Sequence, residues 1–503
     1  MTELGMKAKM VRGATWLAAS RALVNLIGFV STLILARLLL PEDFGLVAIA
    51  STVIAIVSSV TDIPLSAALV HHENPSRKHF DTAWTLSAIR GALLAAVLGI
   101  SASPLANFYG DSRLIPLVIA MSAVTFIQSL SNPTTVLFTR DLVFHQIFIL
   151  DVSKKISGFI VAMLVAWKLN TYWALVVGTA TSETVAVFVT YALSPFMPKP
   201  SISKINDLLS FSAWLSLTQV VQTINYRLDN LFIGYFLTSG DVGQYSYGDN
   251  LATLPTREAT APIAQTLFPA FSRLRDEPER LRAAYLRAQA LLCAIALPIG
   301  LGFAAIAEPL VRLVLGEKWM PAVLVIQVLS SVLALQNLAT SLLPLAMAMG
   351  ETKTLFKRDM LILVIRLPLI LGGLIFGGFT GVVLARLGSG AAATALNMTL
   401  VNRLLGISAA TQILANKRSL GASATMICTI LVVQRELALP ESFWDGCAFL
   451  AIQVALGAVA YSATSYIAWI LESRPSGPET EFAALSSAVF KRVIAPRMRR
   501  KQD

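Results

Sequence analysis

Residues 359–378, DMLILVIRLPLILGGLIFGG, and 381–403, GVVLARLGSGAAATALNMTLVNR, are two apolar blocks separated by two residues. Each is close to the ~20 residues that an α-helix needs to cross a hydrocarbon layer. Twelve further blocks of this kind lie at about 14–39, 44–70, 83–105, 113–135, 146–168, 172–194, 209–237, 244–270, 288–308, 321–349, 419–436 and 446–471. Polar or turn-rich breaks separate them. The pattern predicts an all-α polytopic membrane protein with about 14 transmembrane helices.

Composition supports that reading. Hydrophobic residues make up 55% of the 503, and only 14% are charged, against about 25% charged in soluble domains. A water-soluble fold is excluded. The net charge of +11 sits in the gaps between blocks, which is the positive-inside pattern rather than a nucleic-acid footprint.

One alternating set of gaps holds Lys7, Lys9, Arg12, Arg77, Lys78, Arg140, Lys199, Lys204 and the cluster Arg273, Arg275, Arg280, Arg282 and Arg287. It continues through Lys353, Lys357, Arg358, Arg403, Lys417 and Arg418, and ends in the tail FKRVIAPRMRRK. The other set holds only Arg37, Arg113, Lys168, Arg312, Lys318 and Arg435. Both termini are therefore expected in the cytoplasm. No small-residue cleavage site follows the first block, so the first span is expected to be retained. His71, His72, His79 and His145 fall in the inner gaps and read as solvated loop residues, with a proton relay as the alternative, and Cys293, Cys428 and Cys447 read as packing residues outside any metal or redox spacing.

The chain also repeats itself at an offset of 198 residues: Trp16 matches Trp214, Asp43 and Gly45 match Asp241 and Gly243, Pro64 matches Pro262, and Arg77 matches Arg275. Six blocks per copy give two copies of the same orientation, related by an axis along the membrane normal, with substrate expected between them. The expected division is a six-helix bundle over 1–194, a linker over 195–208 and a second six-helix bundle over 209–405. Two extra helices over 406–471 and a basic cytoplasmic tail over 472–503 follow.

The stretch LARLLLPEDFGLVA at 35–48 resembles the first outer turn of the polysaccharide transporter family, the Wzx-type flippases of the multidrug/oligosaccharidyl-lipid/polysaccharide superfamily. FTRDLVFHQ (138–146), LLSFSAWLSL (208–217), LDNLFIGYFL (228–237), TLFPAFSRLRDE (266–277) and LGEKWMPA (315–322) are similar to further signatures of that family, in the same order. The resemblance is greatest to exporters of the colanic-acid and succinoglycan type. It implies two six-helix bundles facing one another in a V, a cavity opening alternately to each side, and a polyprenyl-pyrophosphate-linked oligosaccharide of the undecaprenyl type as cargo. It also implies a bacterial inner-membrane location, with a polysaccharide polymerase and a chain-length regulator as partners and no cofactor.

Charges inside apolar blocks cost about 2.5–3.5 kcal/mol and usually face a cavity or a partner. The block at 209–237 carries Ser212, Ser216, Gln219, Thr223, Tyr226 and Asn230 at helical spacing with Arg227 beside them. The next carries Ser246, Asn250, Thr253, Arg257 and Thr260. Such stripes either line a cavity or join helices to one another. A sugar pyrophosphate needs cationic donors and hydroxyl partners together. The expected substrate contacts are Arg21, Asn25, Arg90, Lys154, Lys155, Arg227, Asn250 and Arg257, with snorkelling to the interface as the alternative for Arg21 and the lysines.

Asp62, Asp151, Glu183, Asp229, Asp249, Glu258 and Asp359 read as salt-bridge partners or ion-coupling groups, with Asp229 and Glu258 the first choices for coupling. Pro64, Pro255 and Pro262 are expected to interrupt helices, with a static kink as the alternative. No phosphate-cradling GxxxxGK[ST] loop and no Asp-x-Asp pair is present, which speaks against an ATP-driven pump and a metal-dependent glycosyltransferase. A small-molecule or drug antiporter of the same superfamily is the alternative function, and a scaffold within a synthesis complex a weaker one.

Overall fold

The computed structural model describes residues 3–62, 65–71, 75–141, 143–205, 213–437, 442–474 and 477–481. Pro64, His72, Ser212 and the basic tail from residue 482 lie outside them, and the side chain of Trp214 is likewise not described.

Every apolar block carries helix. In chain order these are α1 (Glu3–Leu38), α2 (Pro41–Val60), α3 (Leu65–His71), α4 (Arg77–Tyr109), α5 (Leu114–Ser129), α6 (Val136–Arg140), α7 (Phe144–Leu169) and α8 (Trp173–Leu193). Then come α9 (Ala213–Phe236), α10 (Ser239–Arg273), α11 (Pro278–Ala305), α12 (Ala307–Leu310), α13 (Ala322–Gln336), α14 (Leu342–Ala348), α15 (Thr352–Leu405), α16 (Ala409–Leu414), α17 (Lys417–Glu436) and α18 (Phe443–Leu471). Among the described residues seven helical stretches are long and apolar enough to cross a membrane. The number is eight if α5 and the segment Pro133–Arg140, bent by 62°, form one span. Helices such as α7, with Asp151, Lys154, Lys155 and Lys168, occupy their predicted blocks but are too charged to be counted on hydropathy alone.

The two blocks at 359–378 and 381–403 fall in the single helical stretch α15, which is interrupted at Gly378 (φ 53°, ψ −134°). A Cβ on Gly381 would lie 1.9 Å from the carbonyl oxygen of Gly373, so the two halves of α15 pack backbone against backbone beside the turn. Only glycine permits both that φ and that approach.

Pro255 and Pro262 do not interrupt their helix. α10 runs from Ser239 to Arg273 through Pro255, Pro262 and Pro269. Each proline removes one backbone donor, and a long membrane helix tolerates the loss through local adjustment.

The chain forms two compact units, Met1–Ser246 and Tyr247–Asp503, divided within α10. In the first, α7 packs against α1 and α8, α4 against α5, and α9 against α2. The stretch after α8 is docked rather than free. Lys199 N–H donates to Asp81 Oδ1 (2.9 Å), Ser201 N–H to Thr85 Oγ1 (3.0 Å) and Lys204 N–H to Thr82 Oγ1 (3.3 Å), all on the first turns of α4. At the other end of α4, Arg113 bonds both Asp111 (2.7 Å) and Glu42, joining the start of α5 to the start of α2. The Arg113 hydrogen bond holds the Asp111 carboxyl below the usual carboxylate range.

The repeat has a physical counterpart within this unit. Leu40 N–H donates to Asp43 (2.9 Å) and Thr238 N–H to Asp241 (3.1 Å), so each matched aspartate reaches back to cap its own helix start. The helix starts then cross at the matched glycines. A Cβ on Gly45 would stand 1.6 Å from the Ser239 carbonyl oxygen, and one on Gly243 would stand 1.8 Å from that of Pro41. Pro41 and Ser239 are themselves equated by the offset. Contact of i with j and of j with i is what a local two-fold axis requires.

The second unit is built on α11, which packs against α13 and α17, while α13 packs on α15 and α17 on α18. Its core includes Phe271, Tyr285, Leu292, Leu345 and Val401. Fully buried Gln289 donates its amide N–H to the Leu338 carbonyl. Lys417 and Arg418, at the start of α17, pair with Glu472 (2.8 and 3.6 Å), and Arg418 also reaches Glu479 (3.0 Å).

Candidate functional site

The first unit encloses a cavity of about 1100 Å³ lined from α2, α3, α4, α5, α6, α7 and α9. That exceeds the roughly 300–1,000 Å³ of ordinary small-molecule pockets. Hydroxyls and amides dominate its polar lining: Ser58, Ser59, Ser66, Ser87, Thr125, Gln128, Asn132, Gln219, Gln222 and Thr223. Its charged groups are Arg90, Arg227 and a single acid, Asp62.

The two arginines differ in how they are held. Arg90 of α4 meets Asp62 Oδ1 at 2.9 Å and donates to Thr61 Oγ1 (3.2 Å) and to the Ser58 carbonyl (3.0 Å). It thereby closes the exposed C-terminal end of α2, where carbonyls lack helical partners. Arg227 of α9 lies with its guanidinium 5.4 Å from the centre of the half-exposed Tyr226 ring, a cation–π contact. Among the described residues, with Asp62 balancing Arg90, the cavity wall carries one positive charge in excess, on Arg227.

The polar stripe predicted on α9 divides. Gln219, Thr223, Tyr226 and Arg227 line the cavity, and Gln222 joins them. Asn230 turns to α2 and the start of α10, donating to Thr52 Oγ1 (3.3 Å) and accepting from Ser246 Oγ (3.0 Å). Asp229 is 2% exposed and accepts a hydrogen bond from the Tyr245 hydroxyl. Gln128 and Gln222 were not singled out from the sequence, although both lie in blocks with other polar residues.

A second cavity of about 450 Å³ lies between α1, α7 and α8 and contains Lys154, Lys155, Asp151 and Glu183. Lys154 pairs with Glu183 at 2.7 Å, and the Lys155 ammonium lies against Gly28. Arg21 is exposed and Asn25 half-buried on α1, and neither lines either cavity. In the second unit Asn250 is exposed, and Arg257, with 61% of its side chain exposed, pairs with its neighbour Glu258 at 3.2 Å.

Apolar helices around a roomy polar cavity define a polytopic membrane protein. The fold agrees with solved transporters. A lipid II flippase MurJ structure superposes with a TM-score of 0.74 at 14% identity, covering 92% of this chain and 100% of the other. An inward-facing multidrug resistance MATE family transporter of the MOP superfamily superposes at 0.61 and 16% identity, covering 77% and 96%.

Sequence comparison is more particular. Residues 34–324 match the polysaccharide biosynthesis protein family, and the chain belongs to that family. Among its relatives, the lipopolysaccharide biosynthesis protein WzxC of Escherichia coli K12 is 23% identical over 385 residues, covering 76% of this chain and 78% of the relative. The succinoglycan biosynthesis transport protein ExoT of Rhizobium meliloti is 26% identical over 356 residues, covering 70% and 72%.

Proposed function

We propose that this protein is a flippase, not an enzyme, that moves a polyprenyl-pyrophosphate-linked oligosaccharide repeat unit across the bacterial inner membrane by alternating access. The observation that carries the reading is the cavity lining: amides and hydroxyls suited to sugar hydroxyls, beside a cation in excess suited to phosphate oxygens. Membership of a polysaccharide biosynthesis family supports it over a drug antiporter, which the shared fold alone would equally allow.

Arg227 is the leading pyrophosphate ligand of the first unit, and Arg257 its counterpart in the second. Arg21, Asn25, Arg90, Lys154, Lys155 and Asn250 are further cargo contacts, and Asp229 and Glu258 are proposed coupling carboxylates. The two six-helix halves over 1–194 and 209–405 joined by 195–208, the fourteen-span count, the undecaprenyl-type carrier, and docking to a polymerase and a chain-length regulator belong to the same reading.

Deletion tests the function. Polymer outside the cell is expected to disappear while its lipid-linked repeat unit still forms. Normal polymer in a clean deletion, in a strain with no second flippase, would remove the assignment.

The sidedness proposal places both termini and the loop carrying Arg273, Arg275, Arg280 and Arg282 in the cytoplasm, because that loop has the densest basic charge between helices. A reporter enzyme fused at residue 280 or at the C-terminus is expected to be active only if it is one that works in the cytoplasm. Activity of a periplasm-dependent reporter at either point would reverse the orientation.

A further inference from the structure

The cavity between α1, α7 and α8 gathers two carboxylates and two ammonium groups within the helices that line it, with Glu183, Lys154 and Lys155 near mid-helix and Asp151 about two turns from the start of α7. Glu183 stands at the centre of α8 (Trp173–Leu193), and Asp151, Lys154 and Lys155 occupy consecutive turns of α7 (Phe144–Leu169). Charge at such depth is costly and marks ion or proton pathways when it is not simply paired. One pair is well made: Lys154 meets Glu183 at 2.7 Å.

Asp151 is held more loosely. Its contact on α1 is the Ser20 hydroxyl, 1% exposed, which donates at 3.4 Å. That is long against the usual ~2.5–3.0 Å for such a bond. Arg21 of α1 and Lys154 of its own helix act on it through space. The charged groups around it are thus Arg21 from α1, Lys154 and Lys155 from α7 and Glu183 from α8, while Arg140 of α6 is outside the cavity lining.

We infer that Asp151 is a proton-binding site that couples proton movement to the packing of α1 on α7. The inference rests on the transport reading and supplies its coupling ion. While Asp151 is ionised, it accepts from Ser20 and attracts Arg21, holding α1 to α7. As the pH falls through its titration it takes up one proton, its charge vanishes, and both ties weaken. Arg21 then loses its through-space attraction to Asp151. The chain contains its own reporter of this step: Trp16, one turn before Ser20, packs edge-on against Phe148, one turn before Asp151, with ring centres 5.1 Å apart.

The test uses the purified full-length protein, without substrate, and follows tryptophan fluorescence from about pH 9 to about pH 3, a range that brackets carboxyl and imidazole titration. The same protein carrying Trp16→Phe supplies the background. The Trp16 component is expected to change with pH in the wild type and to be flat in Asp151→Asn. Persistence of the change in Asp151→Asn, its absence from the wild type, or a response to sodium against potassium at constant pH would each overturn the proposal.

If Asp151→Asn does not insert, Ser20→Ala is expected to move the midpoint by at least about half a pH unit, a threefold change in proton affinity. An unmoved midpoint is again a refutation. The readout needs no cargo, so a deletion strain that still exports polymer would sink the flippase reading and leave this titration standing.

Discussion

Gly45→Ala and Gly243→Ala are each expected to remove most of the correctly folded protein from the membrane. A methyl group on either glycine would sit 1.6 or 1.8 Å from a backbone carbonyl oxygen of the opposing helix start, and no side-chain rotation relieves a clash with backbone. The helices must move apart by more than an ångström, dissolving the crossing on which α2 and α10 begin. Overpacking of this severity costs about 3 kcal/mol, a factor of about 100 in a folding equilibrium.

Gly240→Ala is the control on the same turn. Its Cβ would have only the Thr238 hydroxyl nearby, at 3.5 Å, and alanine favours helix, so its yield is expected to match the wild type. The measurement is the amount of monodisperse protein extracted from membranes for each variant. Gly45→Ala at wild-type yield would mean that the crossing is not as tight as described. The double variant supplies a sharper check. Once one methyl has separated the helices the second meets less resistance, so the two costs are expected to fall well short of adding.

Arg227→Gln is expected to lower transport per inserted molecule tenfold to a hundredfold with little change in abundance. A charge-assisted hydrogen bond contributes about 1.5–3 kcal/mol, and Arg227 carries the cavity's uncompensated charge. Glutamine retains polarity and length but neither the charge nor the planar fork of donors, and Arg227→Lys is expected to recover only part.

Arg90 provides the contrast within the same cavity. Arg90→Gln leaves Asp62 without its ion-pair partner and removes the Arg90 bonds to Thr61 and to the Ser58 carbonyl, so abundance is expected to fall along with transport. Arg257→Gln tests the second unit by the same assay. Export of polymer normalised to membrane protein separates the two effects, and unchanged transport per molecule in Arg227→Gln would remove Arg227 from the cargo site.

Much of this molecule was legible in its sequence because hydropathy is a local quantity. Each apolar block had to become a helix, since only internally hydrogen-bonded backbone is stable in hydrocarbon, and each block did. The Asp43/Asp241 and Gly45/Gly243 matches were equally legible, because capping and close crossing leave the same residue types at the same distance from each helix start. For Pro255 and Pro262 the sequence favoured a break, because proline is weighed locally as a breaker, but the helix runs through both.

The site was less legible, for the converse reason. Helical spacing marked Gln219, Thr223, Tyr226 and Arg227 as one polar face, yet could not say that Asn230, on the same stripe, would turn to Thr52 on α2. Nor could it pair Arg90 with Asp62 or Lys154 with Glu183, groups brought together from different helices. The sequence by itself determined the class of protein, the helices and the repeat, because those follow from composition and period along the chain. Tertiary structure decided which charges are neutralised and which remain for a ligand, because a side chain's electrostatic partner is set by helix packing across distances that no local pattern records.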